Sequence, residues 1–473
     1  MKIAAAVVLS LLASQAVAEP IKALLITGQN NHNWKYTSRL HADTLEATGL
    51  FDVEITDTPE ANLTDPKGLG GYRVFVLDYN DSGKPRRWNA AAEAAFAKAV
   101  ADGAGVVAIH SADNAFVGWA EYEKMLGLMW REGTGHGAFH TFDIEWVDTE
   151  HPIIKGLGAF KDHPDELYHK LVNSQNVRYK LLAQAMSATD KGGTGKNEPM
   201  AFTLEFGKGR IFATPLGHVW EGSDAQKASI SDPMFKALLC RGTEWAATGA
   251  VTLPAQWKDV RAQNTLSEAE RAAGWQLLFD GATTANWRGF KKAGFPEKGW
   301  AVRDGALLVT AGGGGGDICT AEEYGDFEFE CDWMTTKGAN SGIMYRCTED
   351  HTYPWETGPE MQILDDANHK DGKKPQTRAG TLYDLFACAA DVARPAGEWN
   401  HAKVVAKGTR IEHWLNGFKV VDIDTASDTY KAALKASKWP GMPDFNTRAK
   451  GRICLQDHGD EVAFRNIKVK PLK

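Results

Sequence analysis

Cysteine is scarce in this 473-residue chain, with six residues and no C-x-x-C pair. That argues against a zinc ribbon, a thioredoxin-type redox pair or a disulfide-built scaffold. Cys240, Cys319, Cys331, Cys347, Cys388 and Cys454 are expected to be small buried thiols. No G-x-G-x-x-G follows an apolar strand, so the chain has no recognisable seat for a nicotinamide dinucleotide. Net charge is −8 and no long basic block interrupts it. Nucleic acid and anionic membrane surfaces are therefore excluded as expected partners. Beyond the first eighteen residues no run is long and apolar enough to span a bilayer. The opening MKIAAAVVLSLLASQAVAEP has one lysine, an apolar stretch and Ala16-Val17-Ala18 before Glu19. It reads as a cleavable secretory signal over residues 1–18, which places the mature protein in the periplasm or outside the cell.

What remains is too long for one core, and its periodicity changes midway. In residues 19–250 short apolar runs alternate with helical patterns. IKALLIT (21–27), RVFVLD (73–78) and GVVAIH (105–110) read as buried parallel strands, and 90–103 as an alanine-rich helix stopped by Gly103. Residues 202–217 read as a hairpin and 232–247 as a closing helix. Such alternation predicts a doubly wound α/β sheet. Residues 251–272 are polar and helix-like and read as a linker that proteases should cut, freeing two independent halves. From 273 to 473 the period becomes two. FEFECDW (327–333) alternates, and 402–424 reads as two or three strands with an Asn416-Gly417 hairpin turn. This half predicts an all-β, two-sheet jelly roll. GGGGGD (312–317) lacks the lysine and helix of a phosphate loop and reads as a turn.

Nine of the fourteen histidines fall in the first half, mostly on loops at the predicted strand ends. His32, His110, His136, His140 and His218, with Asp165 and Glu166, suit either a divalent-metal site or an acid–base cluster. Their spacing diagnoses neither. His151 reads as a turn residue, and His163 and His169 as surface residues. The series His32-Asn33-Trp34, GVVAIHSADNAF, HGAFH, HPIIKGL, DELYH and GKGRIFATPLGH resembles the ThuA-like (trehalose utilisation) family. The resemblance implies a flavodoxin-like domain related to class I glutamine amidotransferases. His110 then stands at the corner where a glutaminase places its cysteine, so glutaminase activity is not expected. It implies catalytic roles for His110 and Glu166, and substrate contacts from His32, His136 and His218.

In the second half GPEMQILDD (358–366) alternates, which puts Met361 and Ile363 toward a core and Glu360 and Gln362 on an open face. Glu360 and His458 are the acid–base candidates, with Asp365 and His369 behind them. Arg346 suits an enolate or sugar oxygen, or closes an ion pair at the sandwich edge. Tyr383 and Gln456 stand at other strand ends, His401 and His413 read as surface strand residues, and a metal among these groups has no diagnostic spacing. The motifs GWQLLFDG, GDFEFECDW, GANSGIMYR, GPEMQILDD, GTLYDLF, GEWNHAKVVAKGTRIEHWLNG and GRICLQDHGDEVAFRNIKV resemble the 3-keto-disaccharide hydrolase domain family. That resemblance implies a concanavalin-like jelly roll acting on a 3-keto-disaccharide or other oxidised glycoside, with a separate sugar 3-dehydrogenase upstream. A glycan-binding module without hydrolytic activity is the alternative that residue types alone leave open.

Overall fold

The computed structural model describes residues 19–65, 68–81 and 87–472; the predicted signal segment lies outside them. In the first half, five parallel strands lie in the order Phe51–Thr56, Ile21–Ile26, Val74–Leu77, Gly105–Ile109 and Gly209–Thr214. The sheet does not stay parallel. Asn197–Phe206, Lys180–Met186, His140–Trp146 and Phe160–Asp165 extend it antiparallel to nine strands. Successive residues of the parallel strands enter opposite cores: Leu25, Val76 and Val107 one, Leu24, Phe75 and Val106 the other. A strand covered on both faces has no polar side, which is why these segments read as continuous apolar runs. The helix Ala90–Asp102 begins at an Asn89 cap, whose side chain accepts from Ala92 N, and ends at Gly103 with φ +128°. The closing helix Pro233–Thr248 starts from Asp232 and packs on the strands Gly105–Ile109 and Gly209–Thr214.

The second half is two sheets. One has eight strands. The other runs Trp287–Gly289, Ile318–Thr320, Arg452–Leu455, Asn340–Cys347 and Glu360–Leu364. Phe327, Phe329, Cys331 and Trp333 from the larger sheet share one core with Ile343, Tyr345, Met361 and Ile363 from the smaller. The hairpin turn at Asn416-Gly417 has both φ values positive, +52° and +86°, matching the right-handed strand twist. All six cysteines are free, five of them buried.

Residues 251–272 are not a loose helical tether. Only Glu268–Ala272 is helical. Val251, Leu253 and Trp257 pack on the α/β core, Trp257 Nε1 donates to Thr44 O at 3.0 Å, and Asn264 exchanges hydrogen bonds with Asn466 at 2.7 and 2.8 Å. The halves also meet directly. Asp43 accepts from Arg39 of its own helix and, at 2.5 Å, from Arg394 of the sandwich. Burial alone would raise the Asp43 carboxyl, but the two guanidinium groups hold it well below the usual carboxylate range. Trp34 meets Phe418 edge-on at 5.7 Å, and the Gly417 turn lies against Ile55 and Arg39. A carboxylate shared by two arginines leaves both charges facing each other when it is removed. Asp43→Ala should therefore cost about 2 kcal/mol and let the halves melt separately. Calorimetry of the full chain checks this, and an unchanged single transition would refute the coupling.

Candidate functional site

The outer face of the five-stranded sheet carries a groove of about 300 Å³ continuous with a second of about 210 Å³; Trp355, Gln456 and His458 line both. Glu360 lies at its floor. Strand alternation puts Met361 and Ile363 inward and so turns Glu360 and Gln362 outward, as their spacing predicts. Glu360 is nonetheless only 6% exposed. Gly342, paired with Gln362 in the ladder, makes this possible, because any side chain there would collide with the Glu360 carboxylate. With its amide oriented to satisfy its neighbours, Gln362 donates to Glu360 Oε1 at 3.3 Å and Ser341 O at 2.9 Å. Burial, with a smaller contribution from Asp317 and partial relief from Lys438, pushes the Glu360 carboxyl up to about 8.

The walls are aromatic and carry two lysines, Lys292 in the larger part, donating to Gly315 O at 2.9 Å, and Lys438 in the smaller. Lys438 Nζ sits 4.6 Å from the Tyr383 ring centre and 4.5 Å from that of Trp439. Tyr353 stacks on Trp355 at 5.2 Å and is half exposed. Tyr383, Gln456 and His458 reach the groove as expected; His458 stands at the rim, half exposed, 3.8 Å from Asp460. The glycine loop is more than a turn: Gly315 and Gly316 line the groove, and their amides donate to Asp457 at 2.9 and 3.0 Å. Asp317, raised to about 6 by burial, stands beside them.

Two expected members are elsewhere. Arg346 sits at a bulge, where the ladder register shifts between Met344 and Cys347 and its own φ is +54°. The bulge breaks the alternation, and its guanidinium instead bonds Gly325 O, Gly408 O and Asp326, closing an edge ion pair. Asp365 follows the strand end and clamps a turn, accepting from Gly338 N at 2.6 Å and Asn368 Nδ2 at 2.8 Å. His369 accepts from Asp371 N and stands edge-on behind His458, ring centres 6.4 Å apart, as expected. His413 is fully buried between Tyr345 and Gly380 and is no surface strand residue, whereas His401 keeps about 35% of its side chain exposed on its strand and pairs with Asp332. The sequence reading missed Trp355, Trp439, Lys438, Asp317 and Asn340. Three of these, Trp355, Lys438 and Trp439, lie in the short segments YPWE and KWPG, where a Trp–Pro neighbourhood in a loop was the available signal.

A second cluster forms at the carboxyl ends of the parallel strands. His110 ends the strand Gly105–Ile109 with φ +47°, a constrained conformation for a non-glycine residue at a sharp strand-to-helix corner. Its Nδ1 faces Pro215 O at 2.7 Å, and its Nε2 lies 3.3 Å from His32 Nε2, 3.1 Å from His218 Nδ1 and 2.8 Å from Tyr168 Oη. Glu166 sits between His136 at 2.8 Å and His218 at 3.1 Å. Burial and neighbouring imidazoles lower His32 to about 3 and His110 well below its ordinary value, so both are neutral near pH 7. Asp165 fixes the loop carrying His218, accepting from Gly217 N at 2.7 Å, His218 N at 3.1 Å and Ser229 Oγ at 2.7 Å. His163 is no surface residue. It is fully buried between Asp165 and Asp232, which overcome the burial penalty and raise it to about 9. His169 is buried as well, and His140 turns back onto Ala138 O outside the cluster. Tyr168 and Asn30 are the members that sequence reading missed.

Comparison with known proteins divides the chain at the same place. Residues 22–246 match the trehalose utilisation (ThuA) family and residues 274–470 the 3-keto-alpha-glucoside-1,2-lyase-like domain. A 3-keto-disaccharide hydrolase of Bacteroides thetaiotaomicron is 36% identical over 232 residues, which is 42% of this chain and 79% of that protein. A candidate glycosyl hydrolase of Parabacteroides distasonis, known from its crystal structure, is 35% identical over 45% of this chain and 100% of its own, with a TM-score of 0.42. A candidate ThuA-like protein of Parabacteroides merdae is 35% identical over 50% of this chain and 93% of its own, with a TM-score of 0.45. Through its C-terminal half the chain belongs to the 3-keto-disaccharide hydrolase family, and ahead of that half it carries a domain of the trehalose utilisation family.

Proposed function

We propose that the sandwich cleaves 3-keto-glycosides by elimination and hydration, with Glu360 as the base. The observation that carries this reading is a buried carboxyl raised to about 8 at the floor of an aromatic-walled groove. A ketone at carbon 3 acidifies the hydrogen at carbon 2. Glu360 carboxylate takes that proton, and the electron pair passes into the enolate, whose oxygen Lys438 stabilises in the position first expected of Arg346. The enolate then forms the carbon 1–carbon 2 double bond as the bond from carbon 1 to the leaving oxygen breaks. His458 or Tyr383 protonates that oxygen. Water adds across the double bond, hydroxyl to carbon 1 and hydrogen to carbon 2, giving the net hydrolysis product. A pure binding module needs no carboxyl held near neutrality, which favours catalysis over glycan tethering.

The same reading places the protein outside the cytoplasm after loss of residues 1–18, downstream of a separate sugar 3-dehydrogenase. It assigns the α/β half a related keto-sugar as substrate. The parallel strand order supports a flavodoxin-like, amidotransferase-like frame for that half, and the two-sheet arrangement supports a concanavalin-like jelly roll for the other.

Cleavage in heavy water should place deuterium at carbon 2 of the released keto-sugar, and the unoxidised disaccharide should not react. Mass spectrometry of the product decides between this route and oxocarbenium hydrolysis, which leaves that hydrogen in place.

Glu360 must be ionised to act as a base, so kcat/KM should rise with pH and level off above about 8. Glu360→Gln should lower turnover by roughly 10²–10⁴-fold. Stability should move the other way. The folded state favours the protonated carboxyl, a contribution fully present below 4.5 and lost as pH rises through about 8. Glu360→Gln should remove that alkaline loss, as urea titrations at pH 6 and pH 9 would register.

A further inference from the structure

The histidine triangle at the strand ends contains a conflict that hydrogen atoms alone do not resolve. Pro215 O can only accept, so neutral His110 carries its proton on Nδ1, 2.7 Å from that oxygen. Its Nε2 is therefore a bare lone pair. Asn30 donates its amide nitrogen to Asp78 Oδ1 at 3.1 Å, which leaves Asn30 Oδ1 facing His32 Nδ1 at 3.0 Å. His32 is thereby fixed in the same tautomer, and its bare Nε2 lies 3.3 Å from that of His110. Two lone pairs held face to face repel unless something positive lies between them. His218 brings Nδ1 to 3.1 Å from both His110 Nε2 and Glu166 Oε2, so that nitrogen carries its proton, and its bare Nε2 is buried without a partner among the described residues. The Tyr168 hydroxyl, 2.8 Å from His110 Nε2, can fill one lone pair but not all of them.

A cation resolves the conflict. Tetrahedral zinc at the usual Zn–N distance requires ligand nitrogens about 3.3 Å apart, and the edge between His32 Nε2 and His110 Nε2 is 3.3 Å. The ligand atoms of these three residues all lie within 4.8 Å of one another. Pro215 O and Asn30 Oδ1 provide the outer hydrogen bonds that metal-bound imidazoles need to hold tautomer and ring orientation. We propose that His32, His110 and His218 hold one zinc-type divalent cation through three nitrogens, with the fourth position taking an oxygen ligand. Trp220, 41% exposed and stacked on His32 at 4.5 Å, and the half-exposed His136 mark the side from which that ligand enters. A water or a sugar carbonyl or hydroxyl supplies the same oxygen chemistry, and an indole beside it suits a sugar ring. Glu166, between His136 and His218, stands where a proton on that oxygen would be received.

The test uses the full chain, stripped with chelator and titrated with zinc and cobalt(II) alone. One equivalent per chain should bind, raise the melting temperature, and give cobalt the intense visible d–d bands of a four-coordinate site. His32→Ala should abolish the cobalt spectrum and the thermal shift, whereas Glu360→Gln should retain both. The wild-type titration decides even where a histidine variant misfolds. No uptake by stripped wild-type protein, uptake unchanged in His32→Ala, or uptake lost in Glu360→Gln would each overturn the site. Adding a 3-keto-disaccharide to the cobalt form, and separately the unoxidised sugar, should shift the bands if a sugar oxygen displaces water; an unchanged spectrum with both would overturn the sugar as fourth ligand.

Discussion

A buried carboxylate must be met by donors or give up its charge, and the two halves of this protein treat that constraint in opposite ways. Asp165 is fully buried and surrounded: two backbone amides, a serine hydroxyl and His163 all point at it. It is fully hydrogen-bonded and fixes a loop. Glu360, almost as buried, has the Gln362 amide as its hydrogen-bond partner among the described residues, and its carboxyl rises to about 8. The first arrangement builds a rigid frame for His218. The second leaves a group whose proton is nearly free to move at neutral pH. The strand ladder, the glycine opposite and the aromatic walls all serve to keep Glu360 out of water without satisfying it.

Much of this was legible because alternation is local information. A period of two in GPEMQILDD is enough to sort Met361 and Ile363 from Glu360 and Gln362, and continuous apolar runs are enough to mark parallel strands. Prediction failed where the backbone leaves its regular path. Arg346 follows Gly342 and Met344 by twos, so simple counting puts it on the groove face; one bulge turns it to the sandwich edge. The antiparallel extension of the first sheet was hidden in the same way, since strands such as Phe160–Asp165 carry charged and proline residues that read as loop. Lys438, Trp355 and Trp439 come from excursions between strands, where no period exists to say which way a side chain faces. His163 shows a further limit: a histidine in a charged, proline-containing segment looks exposed until its two aspartates are placed around it.

Both clusters sit where the sheets stop being covered. In the α/β half that is the carboxyl end of parallel strands, the usual ligand crevice of such sheets. In the sandwich it is the outer face of the smaller sheet, which the segments holding Trp355 and Lys438–Trp439 border without closing. Neither cluster borrows a residue from the other half, so the contact around Asp43 joins two separate sites and does not build a third.

That contact has a consequence for anyone dividing the molecule. Parting the halves would uncover Trp34 and Ile55 on one piece and Phe418 on the other, each beside charges that had been matched across the boundary. Such faces are sticky and mutually complementary. Each half produced alone would tend to self-associate, while the two mixed together would find one another, in a salt-sensitive way, and rebuild the joint from separate chains.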